Sequence, residues 1–153
     1  MATTITDSTL TVTVTEEITI NGVKNNSENE YTNASINEIF KRIVTCPASQ
    51  ETTVLQFATS VYAAPGDLAV GDCKYLRITN KDDTNSAKVA YVTTSTNFQV
   101  TLGPLDSHMF GATSSLGKAE ADTDPEFGTL ENLVQVIVQS GDAIDVEVFA
   151  ACA

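Results

Sequence analysis

An all-β, antiparallel sandwich or barrel is the fold class this sequence predicts, on three observations. Apolar and β-branched residues alternate with polar ones in one segment after another, the period-two signature of half-buried strands. Those segments are short and separated by clusters of Gly, Pro, Asn, Asp and Ser. No segment sustains the 3.6-residue spacing of a long helix, so helix is expected to stay below about 15%. The chain has 153 residues, enough for one domain with its own core, and 42% of them are hydrophobic, so wholesale disorder is not expected.

The first element alternates cleanly. Leu10, Val12, Val14, Ile18 and Ile20 share one parity, and Thr9, Thr11, Thr13, Thr15 and Thr19 share the other. Glu16 interrupts the apolar parity, which predicts a bulge or bend at Thr15-Glu16-Glu17, or an edge strand. Asn21-Gly22 then signals a tight turn. Residues 23–33 are rich in Asn and Glu and read as an exposed loop. Ile36, Ile39, Phe40, Ile43 and Val44 recur at helical spacing, yet 40–46 also reads as a strand stopped by Pro47. The expectation here is a short helical turn or irregular lead-in, then a strand over about 40–46.

Strand signals then come at short intervals. They fall at 52–58, 74–79, 87–92, 97–102 and 105–110, with a turn at Pro65-Gly66-Asp67 and a hairpin around Thr93-Thr94-Ser95-Thr96. Residues 111–131 are Gly, Ser, Asp and Glu-rich and predict a long surface excursion. Two strands, 133–139 and 144–150, close the chain, with Ser140-Gly141-Asp142 expected to join them as a tight hairpin. Ile144, Val146, Val148 and Ala150 are assigned to the core face, opposite Asp145 and Glu147.

Charge excludes several functions. The net charge is −12, with eight basic residues against twenty acidic ones. A phosphate-binding surface needs clustered Lys and Arg to release counterions, so neither nucleic acid nor anionic membrane is an expected partner. Cys46, Cys73 and Cys152 are too few and too widely spaced for a disulfide framework or a zinc motif, and read as free thiols made in a reducing compartment. The first residues show neither a basic nor an apolar signal region, and no apolar run approaches a membrane span.

No motif carries strong chemistry. Asp106-Ser107-His108 places three triad residue types side by side, but strand neighbours point to opposite faces. Asp72-Cys73-Lys74 sets a thiol beside a cation, yet a packed cysteine at a strand start is the simpler reading. The acidic groups at 82–83 and 120–124 read as solvated loops in preference to a weak Ca²⁺ site. No cofactor is expected. Lys41, Arg42 and Arg77 stand out as basic residues inside strands. They read either as ion-pair partners, within a subunit or across an interface, or as solvent-facing charge that protects strand edges.

The words Phe40-Lys41-Arg42-Ile43-Val44-Thr45-Cys46-Pro47 and Lys74-Tyr75-Leu76-Arg77-Ile78-Thr79-Asn80-Lys81-Asp82-Asp83-Thr84-Asn85, with Thr53–Phe57 and Asp145–Ala150, carry a resemblance. Together they resemble small β-sandwich virion proteins of tailed phages that infect aquatic bacteria. The resemblance spans roughly 40–150. It implies a jelly-roll-like domain, a structural role in the particle, assembly in the host cytoplasm and no enzymatic activity.

The resulting expectation is an N-terminal strand or arm over 1–22 and a sandwich domain over 23–153. The function expected first is that of a capsid decoration or cement protein, a homotrimer bound to the major capsid protein. A tail, collar or fibre-base component is the alternative location. A receptor- or carbohydrate-binding module is the alternative class, weakened by the absence of Trp. The candidate interface residues are Leu10, Val12 and Val14 on the arm, with Lys41, Arg42 and Arg77. Whether residues 1–20 form an exchanged arm or part of the core stays open at this level.

Overall fold

A computed structural model describes residues 5–58 and 68–153. The turn expected at Pro65-Gly66-Asp67 lies outside the described residues. Among the described residues twelve strands run in chain order: β1 Ser8–Glu16, β2 Thr19–Ile20, β3 Val23–Lys24, β4 Ser27–Ile36, β5 Glu38–Cys46, β6 Thr52–Gln56, β7 Cys73–Asn80, β8 Ala87–Thr93, β9 Asn97–Leu102, β10 Ser107–Phe110, β11 Leu133–Gln139 and β12 Ile144–Cys152. The described residues contain no helix.

Eight strands build an antiparallel sandwich. The first sheet has the order β10-β7-β12-β5 and the second the order β6-β11-β8-β9. Their pairings nest: β5 with β12, β6 with β11, β7 with β10, and β8 with β9 at the centre. Two further pairings, β7 with β12 and β8 with β11, zip the nested pairs into sheets. The chain therefore changes sheet at every link from β5 to β12 except the β8–β9 hairpin.

Period-two patterning explains the core. Leu76, Ile78, Val146, Val148 and Ala150 of the first sheet meet Val89, Tyr91, Val136 and Val138 of the second, all fully buried in one cluster. Apolar area removed from water in this interlayer stabilises the fold at roughly 25 cal/mol per Å². The assignment of Ile144, Val146, Val148 and Ala150 to the core face holds.

Three local expectations are corrected. Ser140-Gly141-Asp142 does not close a hairpin, because β11 and β12 lie in different sheets and the turn carries the chain between them. A short polar link serves either purpose, and parity alone does not distinguish them. The helical turn before residue 40 is absent, since β5 begins at Glu38 and follows β4 after Asn37 alone. Asn37 N–H donates to the Cys152 carbonyl at 2.9 Å, which holds this junction in place.

The third correction concerns 23–33, read as a loop. These residues enter β3 and β4, and β4 pairs along its length with β1. The signal was hidden because both faces of most of β4 meet solvent, so no apolar alternation was required there. The expected break at Thr15-Glu16-Glu17 does occur: β1 stops at Glu16 and the chain resumes pairing at Thr19. Asn21 and Gly22, at φ 51° and 79°, both take the left-handed region, as a type I′ turn requires.

Candidate interaction face

The outer face of the first sheet and the hairpin that leans on it form the chain's most distinctive surface. On that face, β-pairing sets Lys41, Phe149, Arg77 and Met109 in one row and Ile43, Glu147, Thr79 and Ser107 in the next. Ile39, Ala151 and Tyr75 make a third row.

The hairpin root covers one end of this face. Ile36, Tyr75 and Ala151 form a small second core, with Leu10, Val12 and Phe149 packed against it. Tyr31 stacks on Tyr75 with ring centroids 6.5 Å apart, and its hydroxyl donates to the Lys74 carbonyl at 3.1 Å. Phe149 meets Tyr75 edge-on at 6.0 Å. Burial pushes the Tyr75 hydroxyl above its ordinary pKa, against the opposing pull of Arg77. A cleft of about 200 Å³ remains under the hairpin, lined by Val12, Val14, Tyr31, Tyr75, Met109 and Phe110.

Residues 13–30 of the hairpin are all exposed. One of its faces carries Leu10, Val12 and Val14 opposite Asn33, Tyr31 and Asn29, and the other pairs Thr13 with Glu30 and Thr15 with Glu28. Ile20 and Val23 face each other at the tip.

Charge on the sheet face centres on Glu147. Its carboxylate takes Arg77 Nη2 at 2.5 Å and Lys41 Nζ at 3.9 Å. Arg77 also donates to Thr79 Oγ1 at 2.5 Å, and Thr79 Oγ1 lies 2.7 Å from Ser107 Oγ. The guanidinium sits 6.0 Å from the Phe149 ring centroid, within cation–π range.

The structure thus sorts the predicted interface residues. Leu10 and Val12 pack within their own chain, while Val14 is 37% exposed. Arg77 and Lys41 meet at Glu147 on the outer face. Arg42 has the opposite parity and is exposed at the open side of the sandwich, beside Phe40, Val54 and Leu55, with no ion-pair partner among the described residues. Reasoning from sequence missed Glu147, Ile39 and Ile43. Glu147 was legible as polar parity on β12, but its partner strand was not. Ile39 and Ile43, 62% and 56% exposed, had been absorbed into a helical spacing that the fold does not use.

The other candidates assemble no reactive constellation. Ser107 points to the outer face, whereas His108 turns inward, with Nδ1 3.1 Å from the Tyr91 hydroxyl. Burial lowers the His108 pKa, with Asp106 opposing. Cys73 is buried beside Cys152. Among the described residues, no group of three or more His, Cys, Asp or Glu side chains is arranged to hold a metal ion.

The strongest sequence word has a structural reading of its own. Asn80 is fully buried, and its Nδ2 donates to the carbonyls of Asn85, Gly103 and Leu102. Asp82 Oδ1 accepts from Thr84 N and Asn85 N, which holds its carboxyl below the usual range. The Thr79–Asn85 word therefore builds the crossing from β7 to β8. No family model, curated protein or solved structure matches the chain.

Proposed function

We propose that this chain is a structural virion protein of a tailed phage, a capsid decoration protein that binds the major capsid protein as a homotrimer and stabilises the shell. It is placed by this reading on the virion, after synthesis in the host cytoplasm, and performs no catalysis.

The observation that carries the reading is a sandwich of nested strands with a largely exposed β-hairpin projecting from it. The nesting of β5 with β12, β6 with β11, β7 with β10 and β8 with β9 supports a jelly-roll assignment, an architecture that recurs in capsid proteins and also in lectins. The hairpin supports the N-terminal arm, since it offers main-chain edges and apolar side chains to a neighbour. The resemblance over 40–150 supports the particle. An oligomer that grips several capsid subunits gains by avidity, and binding only the assembled shell stabilises it by mass action.

Shells lacking the protein provide the test. Added full-length protein should bind in many copies per particle and raise the temperature of shell rupture. An unchanged rupture temperature would overturn the decoration reading. Binding at a unique vertex or only to tails would transfer the role to a tail, collar or fibre base, and binding to glycans alone would favour a receptor module.

A further inference from the structure

We infer that the projecting hairpin of one copy docks on the β5 edge of another copy of this chain, so that the assembly is held head to tail. The inference deepens the homotrimer part of the preceding reading and rests on it only for the number of copies.

The hairpin tip and β5 each leave a group of aliphatic side chains uncovered. Ile18, Ile20 and Val23 at the hairpin tip are 51%, 54% and 61% exposed, and Ile39 and Ile43 on β5 are about as open. Within one chain these surfaces do not meet. The hairpin root leans over Tyr75 and toward Met109 and Phe110 on β7 and β10, whereas β5 is the opposite edge of that sheet.

The acceptor is also an open edge. Among the described residues β5 pairs only with β12, and one side of this nine-residue strand has no sheet partner there. A long edge strand with exposed isoleucines invites pairing, and proteins normally cover or blunt such an edge. Among the described residues β1 pairs with β4 alone, which leaves its other edge to offer.

Charge selects a second copy as the occupant. The hairpin carries Glu16, Glu17, Glu28 and Glu30 against Lys24 alone. β5 carries the adjacent pair Lys41 and Arg42, one on each face of the strand, against Glu38 alone, in a chain with only eight basic residues and a net charge of −12. Elsewhere two acidic copies repel one another. Here the acidic hairpin approaches the chain's only two consecutive basic residues, and apolar side chains of both surfaces leave water together.

Donor and acceptor are different surfaces, so the contact is heterologous and closes into a ring when the rotation allows. That property gives a decisive experiment. The mass of the purified full chain is measured by sedimentation over a range of concentrations. Wild type should assemble. Ile39→Asp/Ile43→Asp, which breaks the acceptor, and Ile20→Asp/Val23→Asp, which breaks the donor, should each be monomeric with an unchanged circular dichroism spectrum, because all four sites are exposed. Mixed together, the two variants hold one intact donor and one intact acceptor, and should form a heterodimer that grows no further.

A monomeric wild type, a variant that still assembles, or a mixture that stays monomeric would each overturn the inference. These outcomes are separable from failure of the decoration reading. Wild type that is monomeric yet stabilises shells removes only the head-to-tail contact. Wild type that assembles as described but leaves shells unchanged removes only the decoration role.

Discussion

Cys73 and Cys152 face each other directly across β7 and β12, both about 1% exposed and both free thiols. A hydrogen bond from Cys152 draws the Cys73 thiol down to about 7, and the same contact, with burial, pushes Cys152 up. The two thiols therefore titrate as a pair, and the shift belongs to both together. Thiolate character alone does not make a cysteine reactive, because the electrophile must reach the sulfur. Alkylating the native protein should label none of the three cysteines, whereas unfolding without reductant should expose three labels. A purified protein lighter by two hydrogens and taking one label would show that the pair had already joined.

Val146 lies at the centre of the interlayer with no exposed surface, paired with Val44 on one side and Asn80 on the other. Val146→Asp would place a carboxylate in the apolar interlayer, where the neighbouring Asn80 amide already donates to the Asn85 and Gly103 carbonyls, at a cost of at least about 3 kcal/mol. The denaturation midpoint should fall sharply, or the variant should not fold. A midpoint equal to that of wild type would contradict the parity of β12.

Glu131 clamps the β8–β9 turn from outside. Its carboxylate accepts Thr93 Oγ1 at 2.6 Å and Ser95 N at 2.9 Å, and takes a further bond from Ser95 Oγ. The Ser95 and Thr93 bonds hold its pKa down at about 2. A depressed carboxylate contributes stability that is fully present above its unfolded value of 4.5 and is lost as pH falls toward 2. Glu131→Gln should therefore flatten the acid limb of the melting-temperature profile below about pH 4.5. An acid limb identical to wild type would show that the clamp contributes nothing.

The fold was legible where one strand face meets the core and the other meets water. β8 and β11 follow that rule, and 133–139 matches β11 residue for residue. β4 broke it, because a hairpin in solvent needs no apolar face. Ile39 and Ile43 broke it in the opposite sense, with exposed apolar side chains that mimicked a helical face. Strand pairing was not legible at all, since Glu147 and Arg77 lie 70 positions apart and only the nesting of β7 beside β12 joins them. The candidate face was accordingly half visible: its basic residues stood out, and their shared acid did not.

That shared acid sets up the last prediction. Glu147 has 11% side-chain exposure and Arg77 has 28%, so their 2.5 Å contact is partly shielded from water, while Lys41 at 61% is not. A charge-assisted hydrogen bond contributes about 1.5–3 kcal/mol, and an exposed ion pair about 0.2–1 kcal/mol. Arg77→Ala removes the close donor and leaves a shielded carboxylate with only the distant Lys41, so it should destabilise by about 2 kcal/mol or more. Glu147→Ala leaves Arg77 with Thr79 and the Phe149 ring, so its cost should be smaller. Combining the two changes should then cost clearly less than their sum, with a coupling of about 1–3 kcal/mol in urea denaturation. Lys41→Ala should change stability by less than about 0.5 kcal/mol. Additive single changes would mean that the Arg77–Glu147 contact contributes no net stability, and a large Lys41 effect would mean that solvent screens this face less than its exposure implies.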